Sequence, residues 1–184
     1  MEFQHNDLIV ELTNDTLFDP TSADNVVNYK KVYGYLPNTW ASAAHAIKVR
    51  LQDIEIASAI VFGYGGATTV HERSFIITAD IFLLNCGDSV YSLNLPDLGI
   101  NWHKKMDLAT CLEIYQFKDD FIMHGELDIT RFDKNGLVKW VFSGNDIFVS
   151  PDSKNDFTIK GENIIAKDFC DNVYVLNGDG MQTL

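Results

Sequence analysis

The chain has 184 residues, 46% of them apolar and 22% charged, and a formal net charge of −12 at pH 7. That is enough apolar chain to bury a sizeable core, and too much for disorder. The negative charge repels phosphate backbones, which excludes nonspecific nucleic-acid binding, and it favours solubility and fast encounter with a basic partner.

Three cysteines, Cys86, Cys111 and Cys170, make an odd number with no C-x-x-C pair, a pattern that points to a reducing compartment. Residues 1–7 show no basic region leading into an apolar run, and the apolar stretch over residues 54–64 is too short to cross a bilayer. The expectation is a cytoplasmic protein that does not engage membranes.

In chain order, residues 1–28 are weakly patterned, with a short strand over 7–12 and a polar loop over 14–25 that contains Pro20. Residues 29–35, rich in aromatic and β-branched side chains, begin the packed body. Asn38 or Thr39 caps a short predicted helix over residues 40–46, starting at Trp40. From Ile47 the period becomes two: Ile47, Val49 and Leu51 alternate with Lys48, Arg50 and Gln52. Asp53 marks a bend, and residues 54–62 continue as a more buried strand. The Gly-rich stretch Gly63-Tyr64-Gly65-Gly66 follows, then strands over 74–78 and 81–84 that meet at Ala79-Asp80.

Residues 81–180 carry a repeated strand–turn–strand unit. Its central hairpins turn at residues 85–88, at His124-Gly125 and at residues 169–172. A second turn follows at Pro96-Asp97-Leu98-Gly99, Asp133-Lys134-Asn135-Gly136 and Asn177-Gly178-Asp179-Gly180. In the first two copies it leads to a strand bearing a tryptophan, Trp102 or Trp140, and these lie 38 residues apart. Asn135-Gly136 suits the positive φ angles of a tight hairpin.

With its Val-Tyr-x-Leu strands, Asp/Asn-Gly turns and tryptophan strands, this region resembles the quinoprotein-like β-propeller repeat. The resemblance implies the hairpin pattern and no cofactor. Residues 109–115, 124–127 and 142–148 also resemble one family of small uncharacterised bacterial proteins, a likeness that extends back through Trp40 and Gly65-Gly66 and implies no activity. The expected fold is a single all-β, β-rich domain of about ten to twelve antiparallel strands. It is a hairpin-built sandwich or an open, propeller-like stack with one short helix near residue 40.

Several residue groups are candidates for chemistry. His124, Glu126 and Asp128, at i, i+2 and i+4 on one strand, would share a face and project together, as an acid/base pair or metal site needs. A break at Gly125 spoils that register, and a solvated polar strand face is the plainer account. His71-Glu72-Arg73 lies in a loop after the Gly-rich segment. Gly63-Tyr64-Gly65-Gly66 lacks the Lys and the helix of a phosphate loop and reads as a bulge or loop. Asp146, Asp152, Asn155 and Asp156 miss the EF-hand spacing, and residues 151–155 read as a turn. Cys111, among apolar neighbours, reads as a small core residue. Trp102 and Trp140 are core or hairpin-packing residues, or an exposed binding patch. No metal site and no cofactor are expected.

The acidic balance and the lack of a catalytic constellation point to a non-enzymatic acidic binding protein. One form is a bacterial immunity-type protein that masks a basic toxin. The alternatives are a metal-dependent or acid/base hydrolase using His71, His124 and Glu126, which requires those groups to converge, and a sugar- or peptide-binding module using exposed aromatics.

Overall fold

The computed structural model describes residues 1–149 and 156–183. Within them, sixteen strands form four sheets, more than the sequence suggests, because Glu2–His5, Cys111–Phe117 and Phe157–Lys160 are strands as well. The first sheet contains β1 (Glu2–His5), β2 (Leu8–Asn14), β3 (Lys31–Tyr33), β4 (Ala43–Leu51) and β5 (Ile54–Gly63), in the order β1-β2-β4-β5-β3. Its pairings are antiparallel except that β3 lies parallel to β5. The second sheet is the meander β6 (Phe75–Thr78), β7 (Ile81–Cys86), β8 (Ser89–Asn94), β9 (Ile100–Lys105). The third is β10 (Cys111–Phe117), β11 (Asp120–Gly125), β12 (Asp128–Phe132), β13 (Val138–Ser143), and the last is β14 (Phe157–Lys160), β15 (Asn163–Lys167), β16 (Val173–Leu176).

The sheets stack face to face like blades, with a separate core between each consecutive pair. Val10, Ile47, Val49 and Val61 of the first sheet meet Phe82, Leu84, Tyr91 and Leu93 of the second. Leu83 and Val90 turn the other way, toward Cys111, Met123 and Phe132 of the third. Ile122 and Ile129 then face Ile164, Tyr174 and Leu176 of the fourth. Strands buried on both faces need apolar side chains at successive positions, which is why residues 81–84 and 121–123 read as unbroken apolar runs. The expected open, propeller-like stack is the arrangement present, and the two-sheet sandwich is not.

The three repeat copies are the central hairpins β7–β8, β11–β12 and β15–β16. The bends at Asp53 and Ala79 are real, with φ of 65° and 49°. At Asp133-Lys134-Asn135-Gly136, Gly136 takes the positive φ, 74°, and Asp133 Oδ1 accepts from the backbone N–H of Asn135 and Leu137.

The predicted helix near residue 40 is absent, and the described residues contain no helix. Residues 36–39 make a turn in which the Thr39 N–H donates to the Leu36 carbonyl, and β4 begins at Ala43. Two helical turns gain little without packing. As a strand, Ala43, Ala44 and Ala46 instead pair with β5, Ala46 with β2 as well, and all three are buried. Residues 29–35 begin the packed body as expected, but the polar loop over 14–25 also contributes to it through Phe18. Phe18, Tyr29, Tyr35 and Ala41 pack on Ala44, Ile60 and Phe62, so these residues cover the face of the first sheet that points away from the second.

Candidate functional site

Glu126 and Leu127 form the bend between β11 and β12, and His124 pairs across to Ile129. His124, Glu126 and Asp128 therefore do not share a strand face, and each has its own partner. Glu126 Oε2 accepts from Thr110 Oγ1 at 2.6 Å, and Asp128 accepts from Ser143 Oγ. His124, 5% exposed, places Nδ1 2.9 Å from Glu113 Oε2 and Nε2 3.1 Å from the Phe148 carbonyl, with its ring stacked on Phe157. Both nitrogens face acceptors within the protein.

Glu113, on β10, is the carboxylate that the sequence does not single out. Burial works to raise its pKa, but hydrogen bonds from His124 and Tyr115 outweigh that and hold the carboxyl below its usual range. Arg73 stacks over the Tyr115 ring at 4.8 Å. His71 borders the same strand: its Nδ1 accepts from the Arg73 N–H, so Nε2 carries the proton and donates to the Leu112 carbonyl. His71 and His124 thus both adjoin β10, whereas Glu126 lies with Thr110. The group is a polar seam among the third sheet, the loop before β6 and β14, with its donors and acceptors largely spent on one another. Among the described residues, no three His, Cys, Asp or Glu side chains gather as metal ligands would.

Trp102 and Trp140 lie on the last strands of their sheets, and each reaches to the next sheet. Trp102 Nε1 donates to the Lys134 carbonyl at 2.9 Å, and Trp140 Nε1 to the Gly178 carbonyl at 2.8 Å. Each indole rests on the glycine that ends the turn, Gly136 or Gly180. Tyr33 of β3 does the same work one sheet earlier, donating from its hydroxyl to the Leu98 carbonyl at 2.8 Å. These aromatics are inter-sheet clasps rather than a binding patch.

The remaining candidates are structural too. Gly65 and Gly66 pack against the Ala109 carbonyl and the Thr110 side chain, closing a seam where a phosphate cradle would need open space. Asp107 is 3% exposed and accepts from four backbone N–H groups, those of Ala109, Thr110, Leu127 and Asp128. Cys86 and Cys111 are buried, and burial pushes both thiols well up. Cys170 is exposed, and its thiol donates to Asp146. The expected turn over residues 151–155, with Asp152 and Asn155, lies outside the described residues.

Besides a groove of similar volume lined by Lys118, Asp120, Asp133 and Lys139, the structure has one on the covered side of the first sheet. It holds about 700 Å³ and is lined by Phe18, Tyr35 and Phe62, with Asp19, Leu17 and Trp40 at its margin. Trp40 is 87% exposed and Leu17 93%. The wall is fixed in place. Asn25 Nδ2 donates to the Asp19 and Ser22 carbonyls, the Asp19 N–H donates to Asn25 Oδ1, and the Asp15 N–H donates to the Ala44 carbonyl. Asp19 Oδ1 accepts from the Thr21 N–H and hydroxyl, which lowers the pKa of its carboxyl.

No protein-family model matches the chain, and no curated protein matches it in sequence. In three dimensions it is similar to the computationally designed Ika8 protein, at TM-score 0.55 and 6% identity, over 77% of this chain and 45% of that one. It is also similar to the AfRom2 CNH domain, at TM-score 0.51 and 11% identity, over 96% and 50%. Its likeness to the WD40 β-propeller domain of Doa1 is looser, at TM-score 0.43 and 15% identity, over 73% and 41%. The chain spans about half the length of these structures or less. At such identities the likeness concerns the fold alone, which is all-β and propeller-like.

Proposed function

We propose that this chain is a non-catalytic binding protein whose acidic surface receives a basic protein partner, as a bacterial immunity-type protein masks a basic toxin. The observation that carries this reading is the groove: an indole 87% exposed and an ionised aspartate line it together, on a protein of net charge −12. Aromatic anchors and complementary charge are what fast, specific protein pairing uses. By contrast, both nitrogens of His124 and the Oε2 of Glu113 are engaged within the protein. Calorimetric titration against the basic proteins encoded beside the chain tests the proposal. Binding at micromolar concentration or tighter, weakening as salt rises, is expected. Absence of binding to every such neighbour at that concentration would sink it. A sugar- or peptide-binding module is the second reading, favoured by the exposed Trp40, and oligosaccharides belong in the same titration series.

A further inference from the structure

We infer, resting on that reading, that the groove over the first sheet is the docking site, and that it takes an extended protein segment with an arginine or lysine placed over Trp40. Among the described lining residues Asp19 carries the only formal charge, so the groove offers a cation one fixed counter-ion and no repulsion. The two lysines that follow the covering loop are turned elsewhere. Lys30 pairs with Glu55 and Lys31 with Asp97.

The chemistry divides between two parts of the site. An exposed indole face attracts a guanidinium or ammonium group through its quadrupole, and more strongly once water is displaced. Phe18, Tyr35 and Phe62 form an apolar floor that suits the neighbouring side chain or the aliphatic stem of the cation. A volume of about 700 Å³ is in the range that encloses a ligand of a few residues and not a whole domain. Residues 15–29 of the wall are already fastened by Asn25, Tyr29 and Asp15, so ordering them adds little to the cost of binding.

The test uses the full chain and acetylated, amidated pentapeptides in which a central arginine is flanked by leucine and alanine, alongside the same peptides carrying citrulline. Citrulline keeps the shape and loses the charge. Binding is read by calorimetry and by tryptophan emission, with a chitin hexasaccharide as a further ligand. The arginine peptides should bind about tenfold tighter than their citrulline partners, and Trp40→Ala should remove about a tenfold factor. Asp19→Asn should cost about threefold and flatten the salt dependence.

Equal binding of both peptides, no binding of any arginine peptide at millimolar concentration, unchanged binding by Trp40→Ala, or preference for the saccharide would each overturn the inference. The melting temperature of Trp40→Ala shows that the fold is intact. If a basic partner protein binds Trp40→Ala as tightly as the native chain, the groove assignment fails while the binding function stands. If arginine peptides bind through Trp40 but no basic neighbour does, the broader function is what fails.

Discussion

The indole of Trp140 lies so close over Gly180 that a methyl group on that α-carbon would sit 2.6 Å from Cδ2. Trp102 stands over Gly136 in the same way, at 2.9 Å. Glycine is required at Gly180 twice over, because its φ is +76°. Gly180→Ala should therefore lose about 2–3 kcal/mol, the sum of backbone strain and overpacking. Gly161 has a similar φ, +62°, but open space around it, so Gly161→Ala should lose only about 1 kcal/mol. Urea unfolding separates the two, and equal losses would mean that the clasp does not hold the sheets.

Trp40 should behave unlike the other tryptophans. Being 87% exposed, Trp40→Ala should shift stability by no more than about 0.5 kcal/mol. Trp102→Phe and Trp140→Phe, which lose the hydrogen bonds to the Lys134 and Gly178 carbonyls at the sheet junctions, should each cost about 1 kcal/mol. Trp40 should also be quenched more readily by caesium than by iodide, given the negative surface. A thermal-melt series and Stern–Volmer plots check both points.

Asp107 ties the end of β9 to the β11–β12 bend. Removing its carboxylate would leave four backbone donors without their acceptor, two of them in the next sheet. Asp107→Ala should cost about 3 kcal/mol or more. Hydrogen exchange at Leu127 and Asp128 should accelerate in that variant ahead of global unfolding. Unchanged protection would refute the cross-link.

The stability of the protein should fall on mild acidification. His45 is fully buried, and burial lowers its pKa; partial burial lowers that of His103 as well. The unfolded chain then binds more protons than the native one below about pH 6.5, so stability rises with pH up to that point and drops below it. Asp168 adds a second loss at lower pH. Burial opposes its ionisation, but hydrogen bonds from Asn172, Tyr174 and the backbone outweigh this and hold its pKa down. That contribution is present above the unfolded value of about 3.9 and disappears as pH falls through the native one. Melting temperatures from pH 8 to pH 3 should show the first step and the onset of the second, and His45→Gln should flatten the first.

Much of this architecture is legible in the sequence wherever a strand's surroundings leave a local signature. The hairpins of residues 81–180 announce themselves through turn residues and apolar runs. The helix expected at residues 40–46 fails because burial and pairing with β2 and β5 override alanine's local preference for a helix. Glu113 was within reach: the β10–β11 turn at residues 117–120, followed back four pairs, sets Glu113 opposite His124. What hides it is that adjacent strand positions look equivalent until a register is chosen. The groove at Trp40 is illegible for another reason, since its floor and its wall come from segments brought together only by folding.

The placement of β3 bears on how the chain reaches its native state. Every outer strand that carries a tryptophan follows its neighbour in the chain and can zip onto it directly, whereas Tyr33 and its strand precede β5 and must wait for it. The second and third sheets are built from short-range contacts, but the first is completed by a parallel pairing across 28 residues. That pairing should form late, after the rate-limiting step. Tyr33→Phe would then speed unfolding and leave the folding rate nearly unchanged, whereas substitutions in the β7–β8 hairpin would slow folding itself.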